Sequence, residues 1–97
     1  LLPHLRRLRL RIEEEPAGEA HHIALDGAAT FVSLPKLSDT LDRVPVGKAV
    51  RIDVTRLAAL DQTSAEMLRD WLQRRRAAGA PVELLGGDRG RLATLAA

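Results

Sequence analysis

The run Leu60-Asp61-Gln62-Thr63-Ser64-Ala65-Glu66 gathers two hydroxyls, two carboxylates and an amide within seven positions. Thr63 and Glu66 stand at the spacing of a capping box. There the Thr63 hydroxyl accepts from the first helix amides and Glu66 reaches back to the Thr63 amide. The same geometry sets a hydroxyl at a helix N-terminus, where a phosphate of about −2 charge is electrostatically favoured and changes what docks. The capping reading takes precedence, because nearly every helix needs such a cap. Asp26, Asp53 and Asp61 fall near strand ends or loops without a base–nucleophile partner. Turns and caps explain them as well as acid–base work does, so no catalytic residue is assigned.

Gly86-Gly87-Asp88-Arg89-Gly90 precedes a predicted helix, as anion cradles do, which makes Gly86, Gly87 and Arg89 weak candidates for anion or nucleotide contact. The run lacks the lysine and hydroxyl that end a nucleotide P-loop, and a turn explains the glycines equally. His21 and His22 are adjacent on a predicted strand and point to opposite faces, so they cannot easily share an ion. With no further ligands at useful spacing, they and His4 read as exposed histidines. No metal or cofactor is expected. Arg74-Arg75-Arg76 suits a helix C-terminus. Arg6, Arg7, Arg9 and Arg11, with no acid before Glu13, resemble a juxtamembrane basic segment.

These groups must be held by short strands and helices in alternation. Leu8, Leu10 and Ile12 alternate with Arg9 and Arg11, which predicts a half-buried strand over 8–12, ended by the charged turn Glu13 to Gly18. Residues 22–26 predict a second strand, in hairpin connection with the first. Leu34, Leu37, Leu41 and Val44 trace a helical stripe capped by Ser33, with Pro35 in the tolerant first turn. Val50, Ile52 and Val54 mark a central strand. Ser64, Met67, Leu68, Trp71, Leu72 and Ala78 mark a helix over 63–78, stopped at Gly79. Residues 82–85 predict a fourth strand, and Leu92 and Leu95 the inward side of a last helix. The order is β-β-α-β-α-β-α: an α/β domain with a four-stranded mixed sheet, mostly parallel, and helices packed against it.

Ninety-seven residues and 10.6 kDa suit one domain, read as 8–97 after a lead-in over 1–7 from a preceding segment. Hydrophobic residues at 45% and charged residues at 29% exclude a disordered chain. A net charge of +2 excludes a strongly cationic nucleic-acid binder. The two aromatics, Phe31 and Trp71, offer no base-stacking platform, so no nucleic-acid partner is expected. Absence of cysteine excludes disulfides and thiolate sites. No run approaches the roughly 20 apolar residues that span a bilayer.

The stretch Val50-Arg51-Ile52-Asp53-Val54 followed by Leu60-Asp61-Gln62-Thr63-Ser64 resembles the signature of STAS domains, found in SulP-type sulfate-transporter tails and in anti-anti-sigma factors. Phe31, Leu34-Pro35-Lys36-Leu37 and Leu41 to Lys48 look like the transporter branch, and Asp61-Gln62-Thr63 looks like its Asp-His-Thr with Gln62 in place of His. Anti-anti-sigma factors show Asp-Ser-Ser-Gly here, so Thr63 takes the phosphoacceptor position and Ser64 replaces Gly. The resemblance implies a non-catalytic regulatory or assembly domain on the cytoplasmic side of the inner or plasma membrane. Its partners would be the transmembrane part of the same polypeptide, a second copy in a homodimer, or a regulatory protein. It also implies a regulatory set of Thr63, Ser64, Asp61 and Asp53. The alternative it implies is a free-standing anti-anti-sigma-like switch with Thr63 as phosphoacceptor.

Overall fold

The computed structural model describes residues 9–16 and 18–86. Its elements are β1 (Leu10–Glu15), β2 (Ala20–Ala29), a 3-10 turn (Phe31–Ser33), α1 (Leu34–Asp42), β3 (Ala49–Leu60), α2 (Gln62–Ala77) and β4 (Val82–Leu85). The strands lie in the order β1-β2-β3-β4, with β1 antiparallel to β2 and the other pairs parallel. Each crossover moves one strand along in the same direction. Right-handed connections therefore put α1 and α2 on one face. The expected mixed sheet with a parallel core is present. The expected last helix, the lead-in, Gly87 and Arg89 lie outside the described residues.

Register decides which face is apolar. Ile12 pairs with Leu25, Ile23 with Ile52 and Ile52 with Leu84, so these side chains point together at the helices. Leu37, Leu41 and Val44 from α1 and its C-terminal end, and Leu68, Trp71 and Leu72 from α2, close the core. The opposite face carries Arg11, Glu13, Asp26, Arg51 and Asp53. It is knitted by Arg11 to Asp26 at 2.8 Å and by an Arg51–Glu83 pair.

The strands are longer than the alternation predicts. β1 runs to Glu15 through the residues expected to form a turn, and β2 covers ten residues. The reason lies in the partners of Glu14. This carboxylate points to the helix side, where it accepts from Arg43 Nη2 at 2.8 Å and meets His21 Nε2 at 2.9 Å. His21 is therefore not exposed. It is 4% accessible on the core side, its Nδ1 has no partner among the described residues, and His22 faces the other way, half-buried. β3 continues to Leu60 because β2 pairs with it as far as Ala29. Ser33 also departs from expectation. It bonds within the 3-10 turn, its hydroxyl donating to the Thr30 carbonyl at 3.0 Å, and makes no cap bond to α1.

α2 ends in a Schellman stop: the Ala80 amide donates to the Arg75 carbonyl and the Gly79 amide to the Arg76 carbonyl, with Gly79 at φ 91°. Arg75 lies over the Trp71 ring at 4.6 Å and donates to the Pro45 carbonyl, tying this end of α2 to the loop before β3. Gly86 follows β4 at φ 87°, with Thr55 so close that a Cβ would sit 2.6 Å from Thr55 Cγ2.

Two predictions follow from this packing. Gly86→Ala combines a left-handed backbone with a clash and costs about 3 kcal/mol, whereas Gly79→Ala, with nothing within 4 Å, carries backbone strain alone and costs about 1 kcal/mol; urea unfolding ranks them. The Arg43 hydrogen bond, and next that of His21, hold the Glu14 carboxyl below its ordinary value of 4.5. Its stabilisation is thus present above that value and lost as pH falls through the lowered one. Glu14→Gln lowers the urea midpoint at pH 7, and the gap to wild type closes as the pH falls well below 4.5.

Candidate functional site

β3 delivers the chain to the sheet end where α2 begins, and Asp61 makes the corner. Its backbone is extended (φ −80°, ψ 167°), and its Oδ1 accepts from the Ser64 amide at 2.8 Å. Asp61 is therefore the N-cap of α2, a position that favours a short side chain carrying an acceptor. The capping box expected from Thr63 and Glu66 is not formed. α2 starts one residue earlier, at Gln62, and Glu66 Oε1 accepts from Gln62 Nε2 at 3.1 Å instead. The signal was in the sequence: Asp61 to Ser64 also has N-cap spacing, and carboxylates outrank threonine there.

Asp61 has a second role that spacing does not disclose. Its Oδ2 accepts from the Phe31 amide at 2.7 Å, and its own amide donates to the Ala29 carbonyl at 3.0 Å. One carboxylate thus joins the start of α2 to the turn after β2, thirty residues away. The Ser64 amide first, then the Ser64 hydroxyl, and last the Phe31 amide hold the Asp61 carboxyl below its ordinary value of 3.8.

The two hydroxyls at this corner are sorted by burial. Ser64 is 1% accessible, its hydroxyl on the Asp61 side of the corner, while Thr63 stands exposed in the first turn of α2. Thr63 alone of the pair is open to a modifying enzyme. At the same corner the Phe31 amide is bonded to Asp61, two residues before Thr63, and Phe31 and Val32 are 69% and 75% accessible. Sequence reasoning passed over this apolar pair, whose signal was two large apolar residues preceding the α1 stripe and belonging to no alternation.

The remaining expected residues do not join the corner. Asp53 is eight residues back along β3, roughly 25 Å away at strand rise. It sits on the open face, where its Oδ1 accepts from the Thr55 hydroxyl at 2.6 Å and the Thr55 amide at 2.9 Å. Those bonds, the hydroxyl first, lower its pKa from the usual 3.8. Gly86 packs on Thr55, which accounts for it as a close backbone approach. A depression of about 260 Å³ on the open face is lined by Glu13, His22, Arg51, Asp53, Arg56 and Leu85. Arg51 is paired with Glu83 there, and Arg56 lies 3.9 Å from Glu13. Among the described residues no three His, Asp or Glu converge on a metal position.

An antiparallel first pair, parallel strands beyond it, and an Asp-capped helix presenting a hydroxyl at one sheet end are arranged as the STAS resemblance implies. Residues 12–97 match the family model described as Mlab, STAS domain. The chain belongs to this STAS family. Solved structures agree on the fold. The antisigma-factor antagonist STAS domain from Rhodobacter sphaeroides is 21% identical with a TM-score of 0.62, covering 81% of this chain and 88% of that one. The structure titled "Crystal Structure Analysis of Mglu" is 22% identical with a TM-score of 0.67, covering 74% of this chain. The STAS chain spans only 18% of that second protein's length. None of the curated proteins compared with it matches. STAS domains are as a class regulatory binding domains. No helix among the described residues is long and apolar enough to cross a membrane.

Exchanging the two capping candidates tests this corner. Asp61→Ala lowers the urea midpoint at pH 7 and the difference vanishes once the pH is well below 3.8, because the carboxylate stabilises only while ionised. Thr63→Ala leaves stability within about 0.5 kcal/mol of wild type, as an exposed side chain without a cap bond should.

Proposed function

We propose that this STAS domain is a protein-docking regulatory module whose docking face is the corner of Thr63, Phe31 and Val32, switched by phosphorylation at Thr63. The observation that carries it is the sorting of hydroxyls. Thr63 stands exposed at the start of α2 beside an exposed apolar pair, while Ser64 is buried. A kinase would form the bond from Thr63 Oγ1 to the γ-phosphorus of ATP as the β–γ bridge breaks, releasing ADP and the hydroxyl proton. The added charge of about −2 changes which surfaces the corner accepts. A free-standing switch of this kind fits the structural neighbour titled an antisigma-factor antagonist, and its partner would be a regulatory protein, with a kinase as the modifying enzyme.

The second reading is the cytoplasmic tail of a SulP-type anion transporter. Its support is in the sequence: the segment from Phe31 to Lys48, Asp61-Gln62-Thr63, and the arginines at 6, 7, 9 and 11. In that reading the partners are the membrane part of the same polypeptide and a second copy of the chain, and the domain sits at the cytoplasmic membrane surface. Ten or more apolar segments encoded upstream of Leu1 in the parent gene favour the tail, and a reading frame opening just before Leu1 favours the switch.

The switch is tested by incubating the chain with the cognate serine/threonine kinase and ATP and mapping phosphate by mass spectrometry. One phosphate on Thr63, absent in Thr63→Ala, is expected, with Thr63→Glu weakening kinase binding at least tenfold. No phosphate at Thr63 together with unchanged binding by Thr63→Glu would retire this reading.

A further inference from the structure

The Phe31–Ser33 turn has few ties to the body of the domain. Its side chains do not anchor it, since Phe31 and Val32 are mostly exposed. Three of its hydrogen bonds stay inside the turn: Thr30 amide to Ser33 Oγ, Ser33 Oγ to Thr30 carbonyl, and Ser33 amide to Thr30 carbonyl. Its Phe31 carbonyl accepts from the Leu34 amide at the start of α1, and its tie across the sheet end is the Phe31 amide on Asp61 Oδ2, at 2.7 Å. The same carboxylate is held on its other oxygen by the Ser64 amide, at 2.8 Å. Because the two oxygens belong to one rigid planar group, turning the carboxylate away from either amide disturbs both bonds.

Thr63 lies between these attachments in the chain, two residues after Asp61 and one before Ser64. An anion there faces Asp61 on one side and Glu66, held toward the helix start by Gln62, on the other. Like charges this close repel. A phosphate also brings three acceptor oxygens that compete for the first helix amides, the Ser64 amide among them.

We propose that Asp61 is a relay: negative charge on Thr63 displaces the Asp61 carboxylate from the Phe31 amide and frees the apolar turn Phe31–Val32. Modification then changes the shape of the docking face as well as its charge. This rests on the reading of Thr63 as the switched residue, but the structural step occurs without any partner and is measured without one.

The test is NMR on the full chain, following the Phe31 amide signal and its hydrogen exchange near pH 6.5. Four proteins are compared: wild type, Thr63→Glu, Thr63→Gln as an uncharged control of similar size, and Asp61→Asn as the weakened tie. The relay requires Phe31 exchange at least tenfold faster in Thr63→Glu than in Thr63→Gln, with the amide signal moved toward its position in Asp61→Asn. The Leu68 and Leu72 amides of α2 keep their wild-type protection. Phe31 exchange within twofold in the Glu and Gln variants overturns the relay, and so does uniform acceleration across the chain, which is general destabilisation. Kinase binding lost in Thr63→Glu with Phe31 unmoved overturns the relay and leaves the docking reading standing. Phe31 freed with kinase binding unchanged supports the relay and removes the docking reading.

Discussion

Both oxygens of Asp61 are occupied by backbone amides from different parts of the chain, one at the start of α2 and one in the turn after β2. A helix start leaves several amides without partners, and the turn between a strand and the next helix leaves more. Meeting one of each with a single carboxylate, whose own amide is tied to Ala29, closes the end of the sheet where β2 and β3 both stop. The first turn of α2, where Thr63 is exposed, and the turn that carries Phe31 and Val32 are joined by that closure. Bonds to an ionised acceptor are stronger than neutral ones, and here they add to the burial of Ala29 and Leu60 at the same corner.

At the other end of the sheet a second carboxylate does comparable work. Glu14 joins His21 of β2 to Arg43 at the end of α1, and so pins the antiparallel edge strand to the helical layer. Between these two poles the fold is held by apolar contact: Ile23, Ile52 and Val54 from the sheet against Leu41, Leu68 and Leu72 from the helices. Among the described residues the helices cover one face of the sheet, and the other face is charged and cross-paired. Mixed-sign pairing on an open sheet face keeps it hydrated and disfavours stacking against another sheet.

The family assignment narrows what the corner can mean without specifying a partner. STAS membership comes with a regulatory binding role, and the neighbours at 21% and 22% identity speak for the fold. The features of the corner are local. Ser64 is buried at the N-terminal turn of α2, and an apolar pair is held beside an exposed threonine by a hydrogen bond to the backbone.

Much of this architecture was legible from periodicity. The two-residue repeat of Val50, Ile52 and Val54 and the three-to-four spacing of Leu68, Trp71 and Leu72 are local signals, because strand and helix geometry alone dictate which neighbours share a face. Gly79 as a helix stop is similarly local. The burial of His21, the full lengths of β1 and β3 and the pairing of Asp61 with Phe31 were not legible in that way. Each depends on a partner far along the chain: Arg43 for Glu14, Ala29 for the end of β3, Phe31 for Asp61. The sequence by itself determined the strands and helices as far as β4, their order and the family. Only the tertiary structure decided which hydroxyl is exposed and what the carboxylate beside it holds, because hydrogen-bond partners are set by which chain segments meet in space.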